Sequence, residues 1–261
     1  STTKRSAAFD FAFRYNVRDA INASDWSRLN STNNLVHDIN YRQYGVTFVE
    51  NHDTEYRSST SQQDPIRRDT LAANAYLLAM PGTPCVFYKH YLAYPAEIKA
   101  MIEARKVADV KNTSEYTNYR STAAYYANVV TGTKGNLLVA VGSGFPEPSP
   151  YYYIKILSGY HYAYYLTPST EVAFADKPSG DYFTSFSTTL TAVSATAGAQ
   201  LVYTTDGTAP TATHGTVVAS GTKVDITTTT TLNVGLLVNG IVTNTITRNF
   251  NFVANNVTYE T

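Results

Sequence analysis

The sequence predicts an α/β region followed by all-β regions, and three observations support this. Up to about residue 111, short apolar runs alternate with segments of helical periodicity. The apolar runs "GVTFVE" and "PCVFY" are uninterrupted, which is typical of parallel strands covered by helices. Beyond residue 111, strand-like runs separated by turn residues continue without a helical pattern.

The α/β region contains about three strand–helix units. A strand leading into a helix is predicted from the alternation in "AAFDFAFRYNVRDAIN". Asp64 is a plausible N-cap and Pro65 a first helical residue, and Pro95 opens a later helix in the same way. The predicted elements are a strand–helix unit at 7–22, strands at 45–50 and 84–88, and helices at 64–80 and 94–110.

The remaining sequence divides by composition. Residues 112–166 contain strand-like runs, with Ser158-Gly159 as a candidate hairpin turn. Residues 167–181 have the composition of a linker. Residues 182–261 are rich in Thr, Val and Gly, and Asp206-Gly207 and Asn239-Gly240 are turn signals, which together predict a small antiparallel sandwich.

Composition excludes several classes of function. The chain of 261 residues has a formal net charge of +0, which provides no electrostatic footprint for nucleic acid or an anionic membrane. No apolar run has the length of a transmembrane helix. The single cysteine, Cys85, excludes an internal disulfide and is predicted to lie in the core. The 22 tyrosines suit either sugar ligands or a β-rich surface.

The stretch "FVENHDT" (48–54) is the candidate site, because an apolar strand ends there in groups that titrate and form hydrogen bonds. In parallel α/β folds, catalytic and ligand-binding residues lie at the carboxyl ends of the strands. A loop whose polar side chains only satisfy the backbone is the alternative. His52 has no second histidine at metal-binding spacing, and neither a G-x-S-x-G elbow nor a phosphate-binding glycine loop is present. Carboxylate chemistry on a neutral, hydroxylated substrate remains.

These residues also resemble a known family. "FVENHDT" followed by "AANAYLLAMPGTPCVFYKHY" is similar to the α-amylase family of glycoside hydrolases. "FDFAFRYN", "FVENHD" and "GTPCVFY" resemble strands six, seven and eight of its barrel, in that order. The resemblance implies that residues 1–111 are the C-terminal part of a (β/α)8 TIM barrel and that 112–166 are the β-sandwich following it. "VYTTDGTAPT" resembles the chitobiase-type C-terminal β-domain, here 182–261.

The resemblance also implies roles. Asp53 is the family's third carboxylate, which stabilises the transition state, and His52 binds the same sugar. Glu50 and Asn51 support them. The substrate-binding set further includes Tyr88, His90 and Tyr91, which follow strand eight, and Arg57. The implied activity is retaining hydrolysis of α-1,4-glucosidic bonds in starch or related α-glucans.

The two carboxyl groups that a retaining glycosidase needs, about 5–5.5 Å apart, are not identified in this sequence. In the family they come from strands four and five, which the motif order places before Ser1. A complete barrel also takes about 250 residues, many more than the α/β region provides. We therefore expect the chain to be inactive by itself and to have the N-terminal part of the same enzyme as its partner. Ca²⁺ is expected in the complete enzyme, with ligands upstream and none in this chain.

Two alternatives remain open. The first is a glucan-binding accessory protein that uses tyrosines at 151–153 and 160–165, although cross-strand packing explains these tyrosines better because strand alternation puts only some of them on one face. The second is a transglycosylase of the same superfamily. A polymeric substrate favours an extracellular or cell-surface location, with neither nucleic acid nor a transmembrane segment involved.

Overall fold

The computed structural model describes residues 6–254. The chain divides between Thr167 and Pro168 into two compact units, and each is described by itself below. Residues 112–166, predicted as a separate domain, therefore belong to the same unit as the α/β region. The outermost residues of the predicted first and last regions, 1–5 and 255–261, lie outside the described residues.

The first unit begins with an α/β part. Its elements are β1 (Ala8–Phe9), α1 (Phe11–Asn22), β2 (Gly45–Thr47), β3 (Tyr56–Ser58), β4 (Ser61–Gln62), α2 (Thr70–Ala79), β5 (Thr83–Pro84), α3 (Tyr88–Ala93) and α4 (Pro95–Ala108). Strands β1, β2 and β5 form a parallel sheet in the order β1-β2-β5. β3 and β4 form a small antiparallel hairpin. The predicted alternation of strands and helices is confirmed.

The passage from β1 into α1 depends on Asp10. Its carboxylate accepts the Phe13 N–H at 3.0 Å, which caps the helix, and the Val36 N–H at 3.3 Å. The side chain is almost completely buried, and this burial raises the pKa of the Asp10 carboxyl. Asp10 therefore has a structural role here, tying α1 to the segment that precedes β2.

Two predicted elements differ from the structure. The helix predicted at 64–80 begins only at Thr70, because the Asp64 carboxylate pairs with Arg14 and Arg18 instead of capping a helix. The strand predicted at 84–88 is shorter, and Cys85 is exposed, not in the core. β5 lies at the edge of the sheet and α3 starts soon after it, so the apolar run is not enclosed.

A five-stranded antiparallel sheet completes the first unit, in the order β6-β7-β8-β10-β9. Its strands are β6 (Tyr116–Ser121), β7 (Tyr125–Thr131), β8 (Asn136–Gly142), β9 (Ile154–Gly159) and β10 (Tyr162–Leu166). The Tyr164 hydroxyl donates to the Ala75 carbonyl of α2 at 2.5 Å, which ties the sheet to the helices. The predicted β9–β10 hairpin is present, but it turns at 160–161. Gly159 pairs with Tyr162 and so belongs to the strand, and a Cβ there would collide with the Tyr162 ring.

The second unit is a sandwich of two sheets. Its strands are β11 (Val172–Ala175), β12 (Gly180–Tyr182), β13 (Phe186–Val193), β14 (Gln200–Thr204), β15 (Thr216–Ala219), β16 (Thr222–Ile226), β17 (Thr230–Val238) and β18 (Ile241–Phe252). The sheets have the orders β11-β13-β16 and β12-β18-β17-β14-β15 and share a core that includes Leu190, Leu232 and Phe250. The fold class, an α/β part followed by β domains, is thus confirmed.

Three local predictions can be compared with this unit. The turn at Asn239-Gly240 is confirmed, and both residues have the positive φ that a tight hairpin requires. Asp206-Gly207 lies at the start of the connection between β14 and β15, which pair antiparallel, so a hairpin forms there, with a loop longer than two residues. The linker predicted at 167–181 contains the buried strand β11, which pairs with β13 because its apolar side chains fill the core.

Candidate active site at the end of β2

The chain passes from core to solvent just after β2. Phe48 and Val49 are buried, and the Glu50 side chain is only 8% exposed. The side chains of His52 and Asp53 are 78% and 74% exposed, and their Nε2 and Oδ2 atoms lie 3.5 Å apart. The two residues predicted to meet the substrate therefore lie together at the carboxyl end of the central strand, open to solvent.

The backbone of this loop is held by its own polar groups. The Asn51 Oδ1 atom accepts the N–H groups of Asp53 and Thr54 at 3.0 and 3.1 Å. The Thr54 hydroxyl accepts the Asn51 N–H at 3.0 Å, and the Arg57 guanidinium donates to the His52 carbonyl. Such side-chain bonds replace secondary structure in a turn. They fix where His52 and Asp53 lie, and the Asp53 carboxylate, beside the His52 ring, stays exposed to solvent.

A buried polar chain lies beneath the loop. Glu50 accepts the Ile66 N–H through Oε1 at 2.8 Å, and its Oε2 atom lies 3.0 Å from His90 Nε2. The Asn74 amide nitrogen lies 3.1 Å from His90 Nδ1. Because an amide N–H donates, Nδ1 is the acceptor and the proton on Nε2 is donated to Glu50. Glu50 thus joins the strand end to α2, α3 and the segment before α2.

His90 was predicted to contact substrate, and the structure corrects this. The side chain is 9% exposed and both ring nitrogens have partners inside the protein. A buried imidazole with both nitrogens engaged has nothing left to offer a ligand. His90 is a structural residue that braces Glu50.

The other predicted substrate residues are more accessible. Tyr88, the first residue of α3, is 67% exposed. Tyr91 is half-buried, with the Lys99 ammonium 5.9 Å from its ring centroid. Arg57 is exposed on β3 while its guanidinium braces the loop. Arg57 therefore lies next to His52, and Tyr88 is accessible to solvent.

Three other carboxylates of the first unit are engaged in ion pairs. Glu55 pairs with Lys89 at 2.5 Å and Asp69 pairs with His161 at 2.8 Å. Asp64 binds Arg14 and Arg18; although burial favours its neutral form, these hydrogen bonds and charges lower its pKa. Among the described residues, no group of three His, Cys, Asp or Glu is arranged to hold a metal ion.

Sequence reasoning missed Asn74 and Lys89. Asn74 is fully buried in α2 among alanines and leucines, and a polar residue in such a run is the signal that could have revealed it. Lys89 carries no comparable signal, because its Glu55 partner is distant in the sequence. The tyrosine clusters are divided: Tyr151, Tyr152 and Tyr160 are exposed, whereas Tyr162, Tyr164 and Tyr165 are buried.

Comparisons with known proteins yield partial matches. A glucan 1,4-alpha-maltotetraohydrolase of Roseateles saccharophilus is 30% identical over 157 residues, 57% of this chain and 27% of that protein. A probable alpha-amylase 2 of Arabidopsis thaliana is 28% identical over 169 residues, 62% of this chain and 40% of its own length. A gamma-CGTase structure from alkalophilic Bacillus clarkii aligns with 93% of this chain and 45% of its own, at 15% identity and a TM-score of 0.43. No protein-family model matches. The chain thus spans well under half of these curated relatives.

Proposed function

With the similarity to the C-terminal region of α-amylase family enzymes as the premise, we propose that this chain supplies Asp53 and His52 to the active site of a retaining glycosidase. The substrate is starch or a related α-1,4-glucan. The observation that supports this most directly is the pair of exposed side chains on a braced loop at the carboxyl end of β2.

Asp53 acts on the sugar and not on the scissile bond. An ionised carboxylate accepts hydrogen bonds from sugar hydroxyls, and such bonds strengthen as the ring flattens towards an oxocarbenium-like transition state. Interactions that are stronger in the transition state than in the ground state raise kcat. His52 donates to or accepts from a hydroxyl of the same sugar, which orients the ring against Asp53.

The nucleophile and the acid/base are assigned to no described residue. The carboxylates of Glu50, Glu55, Asp64 and Asp69 each have a cationic or histidine partner. If one of them acted as the nucleophile, it would have to give up that partner, and the local structure that the contact stabilises would be lost. We propose that the remaining catalytic groups belong to other polypeptide, which also covers the open edges of the parallel sheet.

The exposed aromatic residues beside β1 favour that arrangement. Phe9 and Phe11 are 58% and 45% exposed, and both lie edge-on to Phe48 at the end of β2. Parallel sheets are usually buried on both faces, and an exposed edge is a site for further pairing. The partner in this proposal is the N-terminal part of the same enzyme. Because the glucan is a polymer, the proposed setting is extracellular. Among the described residues, no helix has the length and apolarity to cross a membrane.

The decisive experiment measures starch hydrolysis by the purified 261-residue chain and by a longer form of the protein that hydrolyses starch. We expect no turnover from the chain alone. In the longer form, we expect Asp53→Asn to lower kcat by about 10²-fold or more, and Asp181→Asn, an exposed aspartate of the second unit, to leave it unchanged. Turnover by the chain alone that Asp53→Asn abolishes would contradict the assignment of the other catalytic groups. Full activity of Asp53→Asn would contradict the role of Asp53.

A further inference from the structure

Helix α3 holds the loop of the candidate active site at both of its ends. The His90 Nε2 atom lies 3.0 Å from the Glu50 Oε2 atom, at the residue that enters the loop. The neighbouring Lys89 ammonium lies 2.5 Å from the Glu55 Oε2 atom, at the residue that closes the loop. Two consecutive residues of one short helix thus contact the two carboxylates that bracket residues 51–54.

The contact at Glu55 fixes the exit of the loop. The Glu55 side chain is 11% exposed, and its backbone N–H donates to the Asn51 carbonyl at 3.1 Å. Burying a carboxylate this deeply is costly unless a charged partner compensates for the lost water. Lys89 supplies that charge, and its side chain is 64% exposed, so the cation reaches inwards from the surface. Without the cation, Glu55 would turn towards water and take the end of the loop with it.

Helix α3 is itself fixed to the helix that follows it. The Phe87 ring lies edge-on to the His90 ring, with 5.3 Å between their centroids. The Tyr94 N–H donates to the His90 carbonyl at 3.0 Å, and the N–H of the buried Ile98 in α4 donates to the Tyr94 carbonyl at 3.1 Å. Backbone hydrogen bonds therefore run from α3 into α4, and α3 can serve as a fixed support for the loop.

Asp53 lies between the two held ends. In an active site, a displacement of about 1 Å can cost about 10²-fold in rate. The hydrogen bonds within the loop give it its shape, and the contacts with α3 fix where that shape lies. We propose that α3 anchors the loop at two points and that Lys89 is a positioning residue, which acts on catalysis through Asp53. This inference rests on the proposed function and adds to it a residue that acts without contacting the sugar.

The kinetic test uses a longer form of the protein that hydrolyses starch. Lys89→Met keeps a long side chain and removes the cation. We expect kcat to fall about tenfold or more and KM to change less than about twofold, because lost positioning affects the transition state most. Lys89→Arg keeps a cation that can donate to the carboxylate, and should retain most of kcat. Lys155→Met is the matched control: it breaks another exposed lysine's ion pair, 2.7 Å from Glu147, and should leave both constants unchanged.

A double-mutant cycle tests whether Lys89 acts through Asp53. In the Asp53→Asn background, Lys89→Met should lower kcat by less than about a further twofold, because the group that it positions is gone. A further fall as large as in the unsubstituted protein would overturn the positioning role. If Asp53→Asn itself keeps full activity, the proposed function is wrong and this inference with it. An impaired Asp53→Asn beside a fully active Lys89→Met would contradict only the role of Lys89.

Hydrogen exchange in the 261-residue chain tests the anchor without any activity. The Thr54 and Glu55 N–H groups both donate to the Asn51 carbonyl at 3.1 Å. We expect Lys89→Met to speed their exchange about tenfold and Lys155→Met to leave it unchanged. Amides of the sheet formed by β6 to β10 should keep their rates, which would show that the variant is folded. Unchanged exchange at Thr54 and Glu55 in Lys89→Met would overturn the proposal.

Discussion

Two histidine–carboxylate pairs lie within one small region, and they differ in nearly every respect. His52 and Asp53 are exposed and 3.5 Å apart, whereas His90 and Glu50 are buried and 3.0 Å apart. The buried pair is saturated by Asn74 and by the Ile66 N–H. A histidine and a carboxylate are therefore accessible to a ligand where water reaches them and support the fold where it does not.

The largest effect is expected at the exposed pair. In a starch-hydrolysing form of the protein, Asp53→Asn should lower kcat by about 10² to 10³-fold. The reason is that the neutral amide replaces a charged carboxylate that accepts hydrogen bonds from sugar hydroxyls. The thermal midpoint should move by on the order of 1 °C, because substitutions of exposed side chains have small effects on stability. Steady-state kinetics and calorimetry on the same samples measure both quantities. A large fall in the midpoint would mean that Asp53 holds the fold instead.

The buried pair should behave in the opposite way. Glu50→Ala removes the acceptor of the Ile66 N–H and of His90, and should lower the free energy of unfolding by about 3 kcal/mol. Urea unfolding followed by circular dichroism measures this. Glu50→Gln keeps one acceptor oxygen but sets its NH2 group against the Ile66 N–H or the His90 Nε2–H, so it should be destabilised as well. His52→Ala is the exposed control and should change stability little. If Glu50→Ala and His52→Ala lowered the free energy of unfolding equally, the proposed difference between the buried and the exposed pair would be wrong.

A smaller effect tests whether the buried residues act together. Asn74→Ala removes the donor to His90 Nδ1 and should cost about 1–2 kcal/mol in unfolding free energy. Since Glu50 and Asn74 share His90, the double variant should lose less than the sum of the single losses. A double-mutant cycle in urea measures this coupling. Strict additivity would show that the hydrogen-bonded chain is not a unit.

The arginine clamp on Asp64 predicts a pH dependence. The pKa of Asp64 is lower in the fold than in the unfolded chain, so its contribution is present above the unfolded pKa of about 3.9 and is lost as pH falls through the folded value. Asp64→Asn should therefore lower the free energy of unfolding at pH 7. It should also make that free energy fall less steeply as the pH is lowered towards 2. Unfolding midpoints from pH 7 to pH 2 measure this. An unchanged acid limb would contradict the clamp.

The smallest effect concerns the sheet edge. Cys85 is exposed beside β5, so a thiol reagent such as DTNB should modify it in the native chain without denaturant. Cys85→Ser should leave the unfolding free energy unchanged within about 0.5 kcal/mol. If Cys85 reacts only after unfolding, then the β5 edge is covered in solution, and the prediction that this edge is accessible is wrong.

Much of the fold followed from local pattern. The strand–helix alternation and the helix that opens at Pro95 depend on apolar spacing and Pro geometry, which act within a few residues. The Asn239-Gly240 turn could also be predicted, because Asn-Gly is one of the few pairs that readily adopt positive φ at two consecutive positions. The helix at 64–80 was predicted too long because Asp64 forms ion pairs with residues of α1, and no local rule can anticipate such distant partners.

For the site, the sequence by itself determined that the motif at 48–54 would place a histidine and a carboxylate directly after an apolar strand. It also determined the family that this motif resembles. Only the tertiary structure decided that His52 and Asp53 face water while Glu50 and His90 do not. The reason is physical: whether a polar side chain binds ligand or protein depends on which groups from distant segments pack around it. Those contacts, from the Ile66 N–H to Glu50 and from Asn74 to His90, join residues that local sequence patterns treat separately.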